Sequence, residues 1–179
     1  MINTALDFIS KEINGYFNHL IGTTNEDYIV VSNLVYDGKL AIPHQSLGLT
    51  LINIEEDLIA KNQFVTVRNM PGESESRNPG MGLSLYILIS ANFHYEATIT
   101  PRTDYLEGLE RLSQVISFFQ NKNVFTPSNS PQSSIIDSNT EQLSIALVNL
   151  NFEQINHLWS AIGHSYLPSV MYKLRMSSV

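Results

Sequence analysis

The sequence predicts an α/β domain, because its apolar residues recur with two different periods. Three segments show the spacing of amphipathic helices, and several others alternate between apolar and polar residues, as strands do. A length of 179 residues with 43% hydrophobic residues suits one domain with its own core. We therefore expect residues 1–179 to form a single domain with loops at 70–82 and 126–142.

The first predicted helix is amphipathic over about five turns. Apolar residues keep helical spacing from Ile2 to Leu20, Asn3 or Thr4 can cap the start, and Gly22 can end the helix. The opposite, polar face holds Asp7, Lys11, Asn14 and Asn18. This pattern predicts a helix that lies on a core with these four side chains directed to solvent.

The second predicted helix runs from about Thr103 to Asn121, with Thr103 or Asp104 as its cap. Its expected buried stripe consists of Tyr105, Leu109, Leu112, Ile116 and Phe119. Phe118 falls off that stripe, so we interpret it as a candidate surface contact.

The third predicted helix contains the only tryptophan of the chain. Asn151 and Gln154 form a plausible capping box, and Gly163 can end the helix after about Ile162. One stripe of this helix holds Phe152, Ile155, Leu158, Trp159 and Ile162. We therefore expect Trp159 to be a core residue.

Strands are predicted at Tyr28–Tyr36, residues 47–56, Phe64–Met70, Leu83–Phe93, Gln142–Leu150 and Val170–Met176. Asp37-Gly38 follows the first strand and is the strongest hairpin signal. Leu83–Phe93 is apolar enough to be central. In the second strand, one face is expected to hold Leu47, Leu49, Leu51 and Asn53. Val170–Met176 is expected to be a half-buried edge strand.

Charge and composition exclude several classes of function. The formal net charge of -7, without a basic cluster, argues against a duplex nucleic-acid partner. The absence of cysteine excludes disulfides, thiolate metal sites and a thiol nucleophile. The N-terminus lacks the features of a secretory signal, and no apolar run approaches the roughly 18 residues that cross a bilayer. We expect cytoplasmic synthesis and no membrane insertion.

No motif of the sequence assembles a nucleophile, a base and an oxyanion donor. The five histidines lack metal-ligand spacing, and Gly80-Met81-Gly82 precedes a strand where a phosphate loop would precede a helix. Glu55-Glu56-Asp57 is the one compact acidic group, but neighbours in a strand point to opposite faces. These carboxylates are better suited to a basic rim on a partner than to paired acid and base chemistry. We expect no cofactor and no catalytic residue.

Several runs of the sequence closely resemble the tube-terminator, or cap, proteins of phage-tail-like contractile injection systems. They include MINTALDFISKEINGYFN, LTLINIEED, LSLYILISANF, VISFFQNKNVFTP and the C-terminal run from LSIALVNLNFEQ to KLRM. The resemblance spans Met1 to Met176. It implies a tail-terminator-like α/β (α+β) fold, with a mixed, largely antiparallel sheet packed by about three helices.

The same resemblance implies a structural protein without enzymatic activity. Such a protein forms a six-fold ring on the end of the inner tube distal to the baseplate, stops tube growth and joins the last sheath ring. Its expected partners are further copies of itself, the inner tube protein and the sheath protein. The protein would be cytoplasmic, assembled into the particle, and extracellular if the particle is released.

A closed ring uses a heterologous contact, so each subunit needs two different, complementary surfaces. The candidate contact residues are Glu55, Glu56, Asp57, Phe118, Lys173 and Arg175. We expect the C-terminal strand, with Lys173 and Arg175 outward, to lie at a contact. Two alternatives remain open at this point: a monomeric adaptor or assembly chaperone of the same particle, and a small-ligand-binding or hydrolytic domain that uses the acidic group.

Overall fold

The computed structural model describes residues 1–57, 82–93, 101–130 and 140–178. In chain order these residues form α1 (Ile2–Ile21), β1 (Ile29–Val31), β2 (Val35–Tyr36), β3 (Lys39–Leu40), β4 (Ser46–Glu56), β5 (Leu83–Asn92), α2 (Pro101–Asn121), β6 (Val124–Phe125), β7 (Thr140–Val148), α3 (Phe152–Ile162) and β8 (Ser169–Ser178). The predicted strand Phe64–Met70 and nearly all of the loop at 70–82 lie outside the described residues.

Six of the strands form one sheet in the order β1-β4-β5-β8-β7-β6, and β2 pairs with β3 in a separate hairpin. The β1–β4 pair is parallel, and the other described pairs of this sheet are antiparallel. This confirms the predicted α+β class, with a mixed, largely antiparallel sheet and three helices. β5 is central, as predicted, because it pairs with β4 on one side and β8 on the other.

β8 does not lie at an edge of the sheet. It pairs with β5 along one side and with β7 along the other, so the prediction of a C-terminal edge strand is wrong. The alternation within the strand was predicted correctly: Tyr172 and Leu174 are buried on one face, and Lys173 and Arg175 lie on the other. Alternation fixes the two faces of a strand, but its neighbours depend on the remote segments that pair with it.

The two faces of the sheet bury two separate cores. On the first, the α1–α2 face, helices α1 and α2 cover a large cluster that includes Phe8, Phe17 and Ile87. On the second, the α3 face, α3 and the β2–β3 hairpin cover a smaller cluster that includes Trp159 and Leu88. Trp159 is 5% exposed, which confirms its prediction as a core residue.

Both ends of α3 lie where the sequence predicts them. The Asn151 side chain accepts a hydrogen bond from the backbone N–H of Gln154 at 2.9 Å, and the Gln154 side chain accepts one from the N–H of Asn151 at 2.9 Å. This is the predicted capping box. Gly163 ends the helix in the left-handed region, with φ of 76°. Phe152, however, is 93% exposed, because α3 packs on the sheet through its later turns, around Trp159.

The first helix begins earlier than predicted, at Ile2, and ends at Gly22 as predicted. Asn14 does not face solvent as expected, because it is buried against the segment before β1. Its side-chain nitrogen donates to the carbonyl of Ile29 at 2.9 Å, and its oxygen accepts from the N–H groups of Tyr28 and Ile29 at 2.8 and 3.0 Å. Asn14 thus ties β1 to α1.

The buried stripe of α2 is rotated relative to the prediction. Tyr105 is 53% exposed, while Val115 and Phe118 are buried together with Leu112 and Phe119. Aromatic packing explains the rotation, because the Phe118 ring lies 5.1 Å from the ring of Tyr16 on α1. The helix begins at Pro101, in keeping with the preference for proline at a first helical position.

Two strand predictions need correction. The segment Tyr28–Tyr36 is divided into β1 and β2, although the Asp37-Gly38 hairpin forms as predicted, with φ of 51° and 71° at its two turn residues. In β4 a bulge between Leu51 and Asn53 shifts the register against β5. Asn53 therefore lies opposite Tyr86 on the α3 face, and not with Leu47 on the α1–α2 face as expected.

The loop expected at 126–142 is shorter than predicted. It starts with a turn at Pro127–Asn129, and β7 already begins at Thr140, while residues 131–139 lie outside the described residues. Within the parts of the chain that the structure describes, no helix is long and apolar enough to cross a membrane.

Candidate assembly surfaces

Four of the predicted contact residues form a charged cluster on the α3 face. The bulge in β4 places Glu55 opposite Ser84, and β8 places Lys173 opposite Tyr86. Lys173 Nζ lies 3.8 Å from Glu55 Oε2 and 5.1 Å from the centre of the Tyr86 ring. The second pair joins Arg175 Nε to Asp57 Oδ2 at 3.6 Å. We call Glu55, Asp57, Lys173 and Arg175 the charged cluster.

The charged cluster is neutral within itself and partly open to solvent. The side chains of Glu55 and Arg175 are 48% and 46% exposed, whereas that of Asp57 is 14% exposed. Ion pairs with this exposure contribute only about 0 to 1 kcal/mol each to folding. Such pairs can be exchanged for contacts with a partner at little cost to the fold, so the cluster is suited to recognition by charge.

Glu56 is separated from the other two carboxylates. It lies opposite Leu83 on the α1–α2 face, whereas Glu55 lies opposite Ser84 on the α3 face, so adjacent carboxylates diverge as the sequence predicts. In the part of the chain covered by the structure, no group of three His, Cys, Asp or Glu side chains could hold a metal ion.

Phe118 is a core residue and not a surface contact. Its side chain is 8% exposed, and its ring lies 5.1 Å from Phe119 and 6.2 Å from Phe125. The placement of Phe118 off the buried stripe is therefore wrong. The helical wheel placed it beside Arg111 and Gln114, but the aromatic cluster between α1 and α2 covers that side of the helix.

One partly buried ion pair could not be predicted from the sequence. Lys122 Nζ lies 2.7 Å from Glu12 Oε2, donates a hydrogen bond to the carbonyl of Asn129 at 3.0 Å, and lies 4.8 Å from the centre of the Phe125 ring. The Glu12 side chain is 5% exposed. This arrangement ties the turn at Pro127–Asn129 to α1. Glu12 and Lys122 stand 110 residues apart, so no local pattern links them.

An open apolar cleft runs along one side of α3, and the sequence did not indicate it. It has a volume of about 250 Å³ and lies between α3 and the adjoining ends of β7 and β8. We call it the α3 cleft; its lining includes Leu88, Leu147, Ile155, Trp159, Tyr166 and Met171. Leu147 and Tyr166 are 50% and 60% exposed.

The rim of the α3 cleft is aromatic. The Tyr166 ring packs against Trp159 with the ring centres 5.6 Å apart. Phe152 precedes Ile155 by three residues on the same side of the helix, and its side chain is 93% exposed. Exposed apolar groups gathered at one place mark surfaces that contact other molecules.

The chain is thus an α+β domain with a charged cluster and an apolar cleft on one face of its sheet. The chain belongs to the Pvc16 N-terminal domain family, whose model matches residues 8–179.

The solved structures that are similar to this chain include two tube terminators. One is the PVC sheath/tube terminator of an extracellular contractile injection system in the extended state, with 14% identity, a TM-score of 0.44, and coverage of 94% of this chain and 56% of the other. The second is the tube-terminating cap of the anti-feeding prophage, with 15% identity, a TM-score of 0.46, and coverage of 93% and 54%. The chain thus spans about half the length of each. No curated protein matches it.

Proposed function

We propose that this chain is a structural cap of a contractile injection system. In this role it forms a six-subunit ring on the baseplate-distal end of the inner tube, ends tube growth and joins the tube to the last sheath ring. Membership in the Pvc16 N-terminal domain family over residues 8–179 is the observation that carries the proposal. Its activity is assembly, not catalysis, and its partners are its own copies, the inner tube protein and the sheath protein.

The charged cluster supports a role in assembly. Neutral, partly exposed ion pairs fix a pattern of charge on the surface, and complementary patterns steer encounter and exclude wrong partners. We assign Glu55, Asp57, Lys173 and Arg175 to a contact with the tube or sheath protein. Glu56, at the end of β4 but on the α1–α2 face, stays a candidate for a separate contact.

Tube length tests the cap function directly. The inner tube protein of the same particle is allowed to polymerise with increasing amounts of this chain, and tube lengths are measured by electron microscopy. A cap acts at tube ends, so lengths should fall while the number of tubes rises, with the chain bound at one end only. Unchanged lengths, or binding along the whole tube, would contradict the proposal.

Exchanging charges within the cluster tests the assigned contact. The double variant Glu55→Lys with Lys173→Glu keeps an ion pair at the same place. It reverses the signs of the two charges that a partner would contact. Because the exchange also removes the Lys173 ammonium from the Tyr86 ring, we expect its stability to stay within about 1 kcal/mol of the original and its binding to tube ends to weaken about tenfold. The matched control exchanges Asp7 and Lys11, an exposed pair on α1. Equal binding by both variants would show that the cluster is not the contact.

A further inference from the structure

The β2–β3 hairpin and the α3 cleft lie toward opposite edges of the sheet. The hairpin connects β1 to β4, which stand at one end of the strand order, whereas the cleft lies beside β7 and β8, toward the other end. Leu34 and Val35, at the start of the hairpin, line a second cleft with Ala161 and Ile162 of α3. The hairpin and the α3 cleft therefore flank α3 on its two sides.

The hairpin presents a preformed projecting tip. Leu34 and Ile42, on its two sides, are each 3% exposed in the smaller core, and the N–H of Ala41 donates to the carbonyl of Leu34 at 2.9 Å. Beyond this base, Tyr36 is 73% exposed. Because the base is fixed, little conformational entropy is lost when the tip binds.

The α3 cleft suits one aromatic side chain. Its volume of about 250 Å³ lies below the range of about 300 to 1,000 Å³ that is usual for small-molecule pockets. Trp159, Tyr166 and Ile155 supply apolar and aromatic walls, and aromatic rings gain from edge-to-face contacts with such walls.

The charges beside the two surfaces are complementary. Lys39 lies next to the hairpin turn, and Glu153 lies in the first turn of α3, next to Phe152. Both are exposed, and none of the ion pairs formed among the described residues includes either of them. Lys39 thus places a positive charge beside Tyr36, and Glu153 places a negative charge on the first turn of the helix that borders the cleft.

We propose that Tyr36 of one subunit inserts into the α3 cleft of the next subunit, with Lys39 of the first opposite Glu153 of the second. This inference rests on the proposed function, because it supplies the contact that closes the ring. The two surfaces differ and lie on opposite sides of α3, so the contact is heterologous and repeats from one subunit to the next, as a ring requires.

Cross-linking between marked subunits tests this contact. The chain has no cysteine, so Lys39→Cys and Glu153→Cys each create a single reactive site. Subunits carrying one or the other, with tags of different size, are coexpressed with the tube protein and treated with a short bismaleimide. We expect a covalent dimer of one Lys39→Cys and one Glu153→Cys subunit. Neither variant should form a covalent dimer when it is expressed alone.

The outcomes separate the contact from the cap function. Rings without the mixed dimer would overturn the hairpin contact but would not contradict the cap function. A cross-link from Glu153→Cys to the tube protein would have the same meaning. Rings linked through two Lys39→Cys sites would show a two-fold contact and overturn it as well. If neither rings nor cross-links form, both proposals fail. A mixed dimer without capped tubes would support the contact and contradict the cap function.

Tyrosine and charge variants provide the second test. Tyr36→Ala should lower subunit association at least about tenfold, since buried aromatic anchors dominate contacts. The control Tyr105→Ala removes a 53% exposed tyrosine from α2 and should leave association unchanged. Lys39→Glu and Glu153→Lys should each weaken association, and combining them should restore it. Equal association of the Tyr36 and Tyr105 variants, or no recovery in the combined variant, would overturn the contact.

Discussion

Lys122 shows how a single side chain joins distant parts of this chain. It pairs with the nearly buried carboxylate of Glu12 on α1 and binds the turn carbonyl of Asn129. Asn14 lies on the same helix. Its side-chain amide both donates to and accepts from backbone groups at the start of β1. Neither role could be predicted from the sequence, because a Glu or an Asn on a helix normally faces solvent and its partner is set by tertiary packing.

Lys122→Ala should destabilise the protein by about 1 to 3 kcal/mol, because it leaves the nearly buried Glu12 carboxylate without its cation. Lys11→Ala is the matched control: its pair with Asp7, at 2.8 Å, is about half exposed on both sides, so we expect a change below about 0.5 kcal/mol. Urea unfolding measures both values. Adding Glu12→Gln to Lys122→Ala should recover part of the loss. Equal stability of the two single variants would contradict this role for the pair.

Tyr172 makes stability sensitive to alkaline pH. Its ring is 2% exposed and lies 4.8 Å from Phe119, and burial raises the pKa of its hydroxyl from 10.0 to about 12. Below pH 10 the group is protonated in both states. Between pH 10 and 12 the unfolded state loses its proton first, so stability falls as pH rises, by about 3 kcal/mol in total.

Tyr172→Phe keeps the ring and removes the hydroxyl. The free energy of unfolding, measured in urea at pH 9 and pH 11.5, should therefore fall less in this variant than in the original chain. Parallel losses in the two proteins would show that Tyr172 does not titrate as a buried group.

At the level of elements, locally encoded features were predicted more successfully than pairings. The capping box of α3 and the Asp37-Gly38 turn follow from residues that are neighbours in sequence. The bulge in β4 and the interior position of β8 depend on segments far along the chain. Lys173 and Arg175 were therefore placed on the correct face by alternation, while their pairing with Glu55 and Asp57 was not predicted.

Gly48 lets the chain after the β2–β3 hairpin pack on β4. A Cβ at this position would overlap Cδ1 and Cγ1 of Ile42, which is buried in the smaller core. Gly48→Ala should destabilise the protein by about 1 to 3 kcal/mol. Gly15→Ala is the control with the opposite sign, since nothing lies within 4 Å of the added Cβ and alanine favours a helix by about 0.5 to 1 kcal/mol. The stability of both variants is measured by thermal and urea unfolding. Equal stability of the two variants would contradict this packing.

On the scale of the whole molecule, the sheet separates two kinds of surface. The α1–α2 face is largely committed to the main core, while the α3 face carries the charged cluster and the α3 cleft. The sequence indicated the charged residues, but not the cleft, because helical periodicity assigned Phe152 to the core. A periodic stripe does not show how far along a helix the sheet reaches. In the proposed ring, these surfaces would supply the distinct contacts that closure requires.

The proposed cap requires that copies of this chain close a ring at the end of a tube. The most direct measurement is a native mass spectrum of the purified chain, first alone and then with the inner tube protein of its own particle. We expect a six-subunit species, either in the chain alone or on tube-protein rings. A chain that remains monomeric in both samples, and does not bind the tube protein, would show that it does not form a cap.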